Sequence, residues 1–327
     1  MKRIVICCDG TWNDPETRRV TNVVKLARAI LPVAGDGVTQ VVFYDWGVGT
    51  GGRFDRISGG AFGRGLDRNI QDVYRFLVHN HARHDQIFLI GFSRGAYTAR
   101  STAGFIRNCG ILKKKHASMI PEAYELYRSK SRPASVKSTR FRREFSRESR
   151  IKLLGVWDTV GALGVPLRMF KRFNASRYSF HDTKLSRSIE HAYHALAIDE
   201  KRKPFKPTLW TTRPSKTQIA QQVWFAGVHA DVGGGYPEDG LANVAFHWLA
   251  DKVQRCGLDL ARDYLRRFKP DPTDRLHNSM TPLYRAMGRH VRPIGYLRRG
   301  NEAVHPSVLG RRDALGYRPE NLIEYLG

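Results

Sequence analysis

The sequence predicts an α/β fold with a mostly parallel central sheet and helices on both faces, and three observations carry that prediction. From residue 1 to about 112, short apolar runs alternate with stretches of helical periodicity, the signature of βαβ units. Further apolar runs at 151–157 and 221–228 extend the sheet. With 327 residues, 41% hydrophobic and 11% aromatic, the chain can bury one sizeable core and is too apolar for disorder, so one domain over 1–327 is expected.

Residues 4–8 read as a buried strand, because the run leads directly into Asp9-Gly10-Thr11 and is too short for a signal-peptide core. No stretch approaches about 18 consecutive apolar residues. The chain is therefore expected to be made in the cytoplasm, any export following a signal-independent route. A helix follows at 21–31, capped by Thr21 or Asn22, then a strand at 39–44. Beyond the glycine-rich stretch 47–52 come an amphipathic helix at 67–79 and a strand at 86–90. Residues 95–109, rich in small side chains, read as a helix ended by Gly110.

Residues 113–150 gather Lys113-Lys114-Lys115 and the arginines of 140–150 around a short helical stretch at 121–127, and are expected to form a basic cap insertion. A strand at 151–157, a helix at 185–198, a strand at 221–228 and a helix at 242–255 follow. From about 260 to 327 the chain reads as a helical, irregular extension.

Lys and Arg number 55 against 30 Asp and Glu, a net charge of +25 with a pI near 10.3. Such a surface attracts polyanions, whether anionic lipid or nucleic acid, and says nothing of fold. Cys7, Cys8, Cys109 and Cys256 lie in strand or helix segments without metal-ligand spacing and read as reduced thiols.

The chemistry centres on Gly91-Phe92-Ser93-Arg94-Gly95, a G-x-S-x-G sequence directly after a strand and before a helix. That context is the nucleophile elbow of an α/β-hydrolase-like fold: the turn exposes the Ser93 hydroxyl, and the glycines let helix and strand cross closely. A serine needs a base, and the base an orienting acid. Asp158 emerges after the strand 151–157 and His229 after 221–228, giving the order Ser93, Asp158, His229. Asp231 with His305 satisfies the same order and stays as the second choice. Asp158 and His229 are preferred because His229 ends a strand, whereas His305 begins a helix-like segment and Asp231 can hold the glycine-rich turn.

An oxyanion hole needs two backbone N–H groups. Arg94 supplies one as the residue after the nucleophile, and Gly10 or Thr11 the other, from the loop after the first strand. Asp9 and Asn13 organise that turn.

Five segments, Cys8 to Asn13, Gly91 to Ala96, Trp157 to Gly161, Asp199 to Arg202 and Gly227 to Tyr236, together resemble an uncharacterised α/β-hydrolase family. That family contains the catalytic domains of type VI secretion phospholipase effectors, and the resemblance spans about residues 1–250. It implies a triad on Ser93, Asp158 and His229 and ester hydrolysis of phospholipids.

Other signals are set aside. The stretch 47–52 fits no G-x-G-x-x-G frame and no P-loop lysine follows, so it reads as a loop beside the site. His191 and His194 fall three apart on an expected helix without a third ligand, so no metal is assigned. Asp199 and Arg202 are expected to pair locally and support the loop over the site, with a phosphate contact by Arg202 the alternative. No cofactor is implied. The reading is a serine esterase or lipase with a lipid-like ester substrate and an anionic membrane as peripheral partner. The alternative is an inactive hydrolase-like domain that binds nucleic acid, for which no recognisable module stands out.

Overall fold

The computed structural model describes residues 1–10, 20–47, 59–129, 131–161, 184–297 and 301–327. Its first part repeats strand and helix: β1 (Arg3–Cys8), α1 (Asn22–Ala29), β2 (Gln40–Asp45), α2 (Gly59–Asn80), β3 (Gln86–Phe92) and α3 (Arg94–Cys109). All six residues of β1 are buried, as a parallel strand covered on both faces requires. Thr21 starts α1 by accepting a hydrogen bond from Val24 N, and Gly110 ends α3 at φ 69°.

The basic stretch leaves the sheet at β4 (Ile111–Leu112), forms α4 (Ile120–Arg128) and α5 (Val136–Phe145), and returns through β5 (Ser146–Arg147), which pairs antiparallel with β4. Ile120, Ala123, Tyr124 and Leu126 pack into the same core as α2 and α3. The stretch begins at the far end of α3, a 16-residue helix about 24 Å long, and so flanks α2 and α3 at the edge of the sheet away from Ser93.

The chain then forms β6 (Ile151–Trp157), β7 (Ile189–Ala197), β8 (Ile219–Phe225), α6 (His229–Gly233) and α7 (Gly240–Arg255). Beyond these come α8 (Arg262–Leu265), α9 (Pro282–Ala286), β9 (Glu302–Val304), α10 (Pro306–Leu315) and α11 (Glu320–Leu326). The seven strands run in the order β2-β1-β3-β6-β7-β8-β9, every pairing parallel. This is the expected α/β-hydrolase-like sheet. Its order reverses between β1 and β3, so the crevice for a ligand opens beyond the carboxyl ends of those two strands.

Side chains of alternate sign fill two layers. Ile4, Ile6, Leu89 and Leu154 meet α2, α3 and α4, whereas Val5, Phe88, Ile90, Leu153 and Trp157 meet α1 and α7. The last segment covers the rest of the first face, with Ile294, Val308 and Leu322 against Leu196 and Trp224.

One expectation fails. Residues 185–198, expected as a helix, contain β7, where Tyr193, Ala195 and Ala197 face α7 and Ala192 and Leu196 face the other layer. Burial on both faces removes the polar alternation that marks a strand, and the alanines mimic helix propensity. The extension, expected to be helical and irregular, contains α8 to α11 and also the edge strand β9, paired to β8. Among the described residues no helix is long and apolar enough to cross a membrane.

Candidate active site

Ser93 sits between β3 and α3 at φ 58° and ψ −118°, with its N–H donated to Trp157 O at 3.1 Å. A non-glycine residue there carries strain of about 1–3 kcal/mol, which the surrounding contacts must hold. The flanking glycines are dictated by distance. A Cβ on Gly95 would lie 2.1 Å from Cys8 O, and one on Gly91 would lie 2.6 Å from Gly95 O. No side chain fits between β1, β3 and the first turn of α3.

His229 is the first residue of α6, four residues past β8 rather than at its end. Asp231 holds that turn by accepting Val228 N at 2.9 Å. The imidazole lies between the rings of Phe92 (4.6 Å between centroids) and Phe205 (5.1 Å). Its Nε2 is 2.8 Å from Ser93 Oγ and its Nδ1 is 2.5 Å from Asp158 Oδ2. An ionised carboxylate only accepts, so the proton sits on Nδ1 and Nε2 is left to accept the serine hydroxyl. Burial pushes the imidazole below its ordinary pKa despite the pull of Asp158.

Asp158 closes β6 at φ 38° and is fully buried. Burial alone would raise its carboxyl, but the charge of Arg292 and the bond from His229 hold it well below the usual carboxylate range. Its Oδ1 accepts Ala197 N at 3.1 Å and Arg292 Nη1 at 2.6 Å, and its Oδ2 accepts Arg292 Nη2 at 3.0 Å. The following residue is fixed too, Thr159 N donating to His194 Nε2 at 3.1 Å. Burial pushes His194 down to about 3, so it is a neutral acceptor.

The other nominated residues take different places. Gly10 N is donated to Asp9 Oδ1 at 2.7 Å, so this amide is turned toward a carboxylate instead of a substrate. Asp9 also accepts Thr21 Oγ1 and Tyr44 OH, each at 2.6 Å. Thr11 and Asn13, and most of 47–52, lie outside the described residues. Arg94 opens α3, and burial lowers its guanidinium to about 10.

The expected pair of Asp199 with Arg202 is corrected. Arg202 forks onto Glu200 (2.9 and 2.7 Å) and lies 3.5 Å from the Phe205 ring centroid. Asp199 accepts Gly227 N at 2.7 Å and Tyr317 OH at 2.5 Å. The second-choice pair is separated: Asp231 bonds His277 Nδ1 at 2.6 Å, while His305 caps α10 through Ser307 and stacks on Phe225. His191 and His194, three apart on a strand, face opposite sides of the sheet.

Sequence reasoning missed Arg292, Glu200, Phe205, His277 and Ser279. Glu200 and Phe205 lie in or directly after the segment singled out around Asp199 and Arg202; the others carry no local pattern. Glu200 accepts His229 N at 3.3 Å and Ser279 Oγ at 3.0 Å. Beside it opens a cavity of about 510 Å³, bordered by Lys201, Val228, His277, Ser279, Arg285 and Arg289. Among the described residues no cluster of three His, Cys, Asp or Glu side chains could hold a metal.

A serine elbow at the carboxyl edge of a parallel sheet, with a histidine and a carboxylate from later strands in reach of it, is the arrangement of an α/β-hydrolase-like fold. Residues 2–252 match the family described as T6SS, phospholipase effector Tle1-like, catalytic domain, and the chain belongs to that family. It is 29% identical over 237 residues to Uncharacterized protein YEL023C of Saccharomyces cerevisiae, an alignment covering 65% of this chain and 33% of that protein. Of solved structures, an uncharacterized protein from Pseudomonas aeruginosa is 15% identical, covering 87% of this chain and 48% of that one, at TM-score 0.49. The Tle1 effector bound to the VgrG spike of the type 6 secretion system is 19% identical, covering 73% of this chain and 52% of that one, at TM-score 0.43. The chain thus spans about a third of the curated relative it matches and about half of these two solved chains.

Proposed function

We propose that the chain is a serine hydrolase that cleaves the carboxylic ester of a lipid, a phospholipid first among them, through an acyl-enzyme on Ser93. The observation that carries this reading is the chain of contacts from Ser93 Oγ to His229 Nε2 (2.8 Å) and from His229 Nδ1 to Asp158 (2.5 Å). Ser93 Oγ attacks the ester carbonyl as its proton passes to His229 Nε2. The tetrahedral oxyanion is met by the Arg94 amide and by an amide of the loop after β1, Thr11 being the candidate since Gly10 N turns to Asp9. The imidazolium returns the proton to the departing alkoxide, leaving the acyl group on Ser93. Water, deprotonated by His229, then releases the fatty acid.

The cavity next to Glu200 supports the phospholipid, since a phosphate there would meet Lys201, Arg285 and Arg289. The net charge of +25 supports recruitment to anionic membranes, each basic residue near such a surface contributing about 1 kcal/mol.

The test is hydrolysis of short-chain nitrophenyl esters and of phosphatidylglycerol vesicles, with mass-spectrometric mapping of a fluorophosphonate adduct. We expect the adduct at Ser93, and a fall in turnover of about 10⁶-fold in Ser93→Ala. Equal rates for the two proteins would remove the proposal.

A further inference from the structure

One guanidinium grips both oxygens of Asp158. Arg292 Nη1 also donates to Ala197 O at 2.9 Å and Nη2 to Phe205 O at 2.6 Å, while the side chains of Arg292 and Asp158 are both 0% exposed. Among the described residues Arg292 Nε has no hydrogen-bond partner, so the fork alone carries the guanidinium's contacts to Asp158. Arg292 also lies outside the family-matched residues 2–252. Its segment repeats the same relation at every carboxylate around His229. His277 bonds Asp231 at 2.6 Å, Ser279 bonds Glu200 at 3.0 Å and Tyr317 bonds Asp199 at 2.5 Å.

We propose that Arg292 is a positioning residue of the reaction, its planar fork fixing Asp158 so that Oδ2 faces His229 Nδ1, and that Arg292 with His277, Ser279 and Tyr317 thereby completes the site. The inference rests on the serine hydrolase reading. A carboxylate at the end of a strand can rotate about its Cα–Cβ and Cβ–Cγ bonds, and only one orientation presents an oxygen to the imidazole. Two parallel N–H···O bonds remove that freedom as a single ammonium cannot.

The fork also acts on charge. His229 is faced by Asp158 from β6, by Glu200 and Arg202 from the loop after β7, and by Ser93 from the elbow. Behind Asp158 stand Arg292 from the last segment and His194 from β7, and His194 is faced in turn by Arg100 from α3. Asp158 and Glu200 favour an imidazolium and Arg202 opposes it, while Arg292 offsets the charge of Asp158 itself. Without the Arg292 charge, Asp158 acts on His229 uncompensated and the imidazole protonates at higher pH.

The experiment follows the pH dependence of fluorophosphonate labelling at Ser93 in the full chain, in Arg292→Lys and in Arg292→Met, with an NMR titration of the His229 ring. In Arg292→Met we expect the acid limb and the ring titration to move up by about one pH unit and the plateau rate to fall about 100-fold. In Arg292→Lys, which keeps charge and loses the fork, the limb stays and the plateau falls about tenfold. Variants that match the parent in limb and plateau, or that only lower the unfolding midpoint, would overturn the inference. If Arg292→Met does not fold, Arg292→Lys decides, and a parental rate there refutes the positioning role. A parent that takes no label refutes the serine hydrolase reading instead.

Discussion

The backbone of the Ser93 elbow is packed against backbone: the Cys8 and Asp9 carbonyls crowd Gly95, and Trp157 O accepts the Ser93 N–H. Around Asp158 and His229 they are ionised or polar side chains from distant parts of the chain, Arg292, Glu200 and Ser279. One side of the site is fixed by sterics and tolerates no added atom. The other is fixed by charge in a dry interior, where atoms can be exchanged and a lost partner cannot. The two sides should therefore fail in different ways.

Gly95→Ala should give the largest effect. The added Cβ would sit 2.1 Å from Cys8 O and 2.5 Å from Asp9 O, both backbone atoms at the end of a central strand. Ordinary overpacking costs about 1–3 kcal/mol, with side chains relaxing. Here the backbone must move, so the cost should exceed that range. The measure is the urea midpoint of soluble protein, and a midpoint equal to the parent's would show that β1 and α3 can part without penalty.

Asp158→Asn tests the other side at constant volume. The amide presents either a donor to Nδ1, forcing the wrong tautomer, or an oxygen that leaves Arg292 facing no charge. Turnover should fall about 10⁴-fold, as in a triad whose carboxylate becomes an amide, while the stranded guanidinium removes about 3–5 kcal/mol of stability. In the parent, burial disfavours the charged imidazole, so the acid limb of kcat/KM should lie below the ordinary imidazole value of about 6.5. Stopped turnover with the elbow intact, read as a near-native circular dichroism spectrum, would separate the two sides; full activity would remove Asp158 as the acid.

What the sequence made legible follows the same division. The elbow is a matter of five consecutive residues framed by a strand and a helix, so sterics acting over a few bonds can be read directly. Asp158 and His229 could be nominated because each follows an apolar run in an order the topology brings to one edge. Arg292, His277 and Ser279 reach their carboxylates across long loops, and nothing near them in sequence marks the pairing. The Gly10 amide shows the limit at short range: Asp9 can either organise the turn around it or consume it, and the choice depends on a side-chain torsion. β7 was read as a helix because a strand buried on both faces shows no period of two. The charge of the basic stretch marks it as surface without saying which end of the sheet it flanks.

The smallest effect is expected where the sequence left an alternative. His305 satisfies chain order as a base, yet its Nδ1 accepts Ser307 N at 3.2 Å as the cap of α10, and its ring stacks on Phe225 at 4.6 Å. Burial pushes it down to about 4, so it is neutral at working pH and committed to a helix end. In His305→Asn the new amide oxygen can still cap the helix, while the lost ring contact costs about 0.5–1.5 kcal/mol. Turnover should stay within about twofold of the parent, since nothing on the Ser93 or Asp158 side touches this ring and independent sites add. A loss in His305→Asn as deep as that of Asp158→Asn would mean that the base is recruited from α10, and the division of the site into a steric and an electrostatic side would have to be redrawn around Asp231.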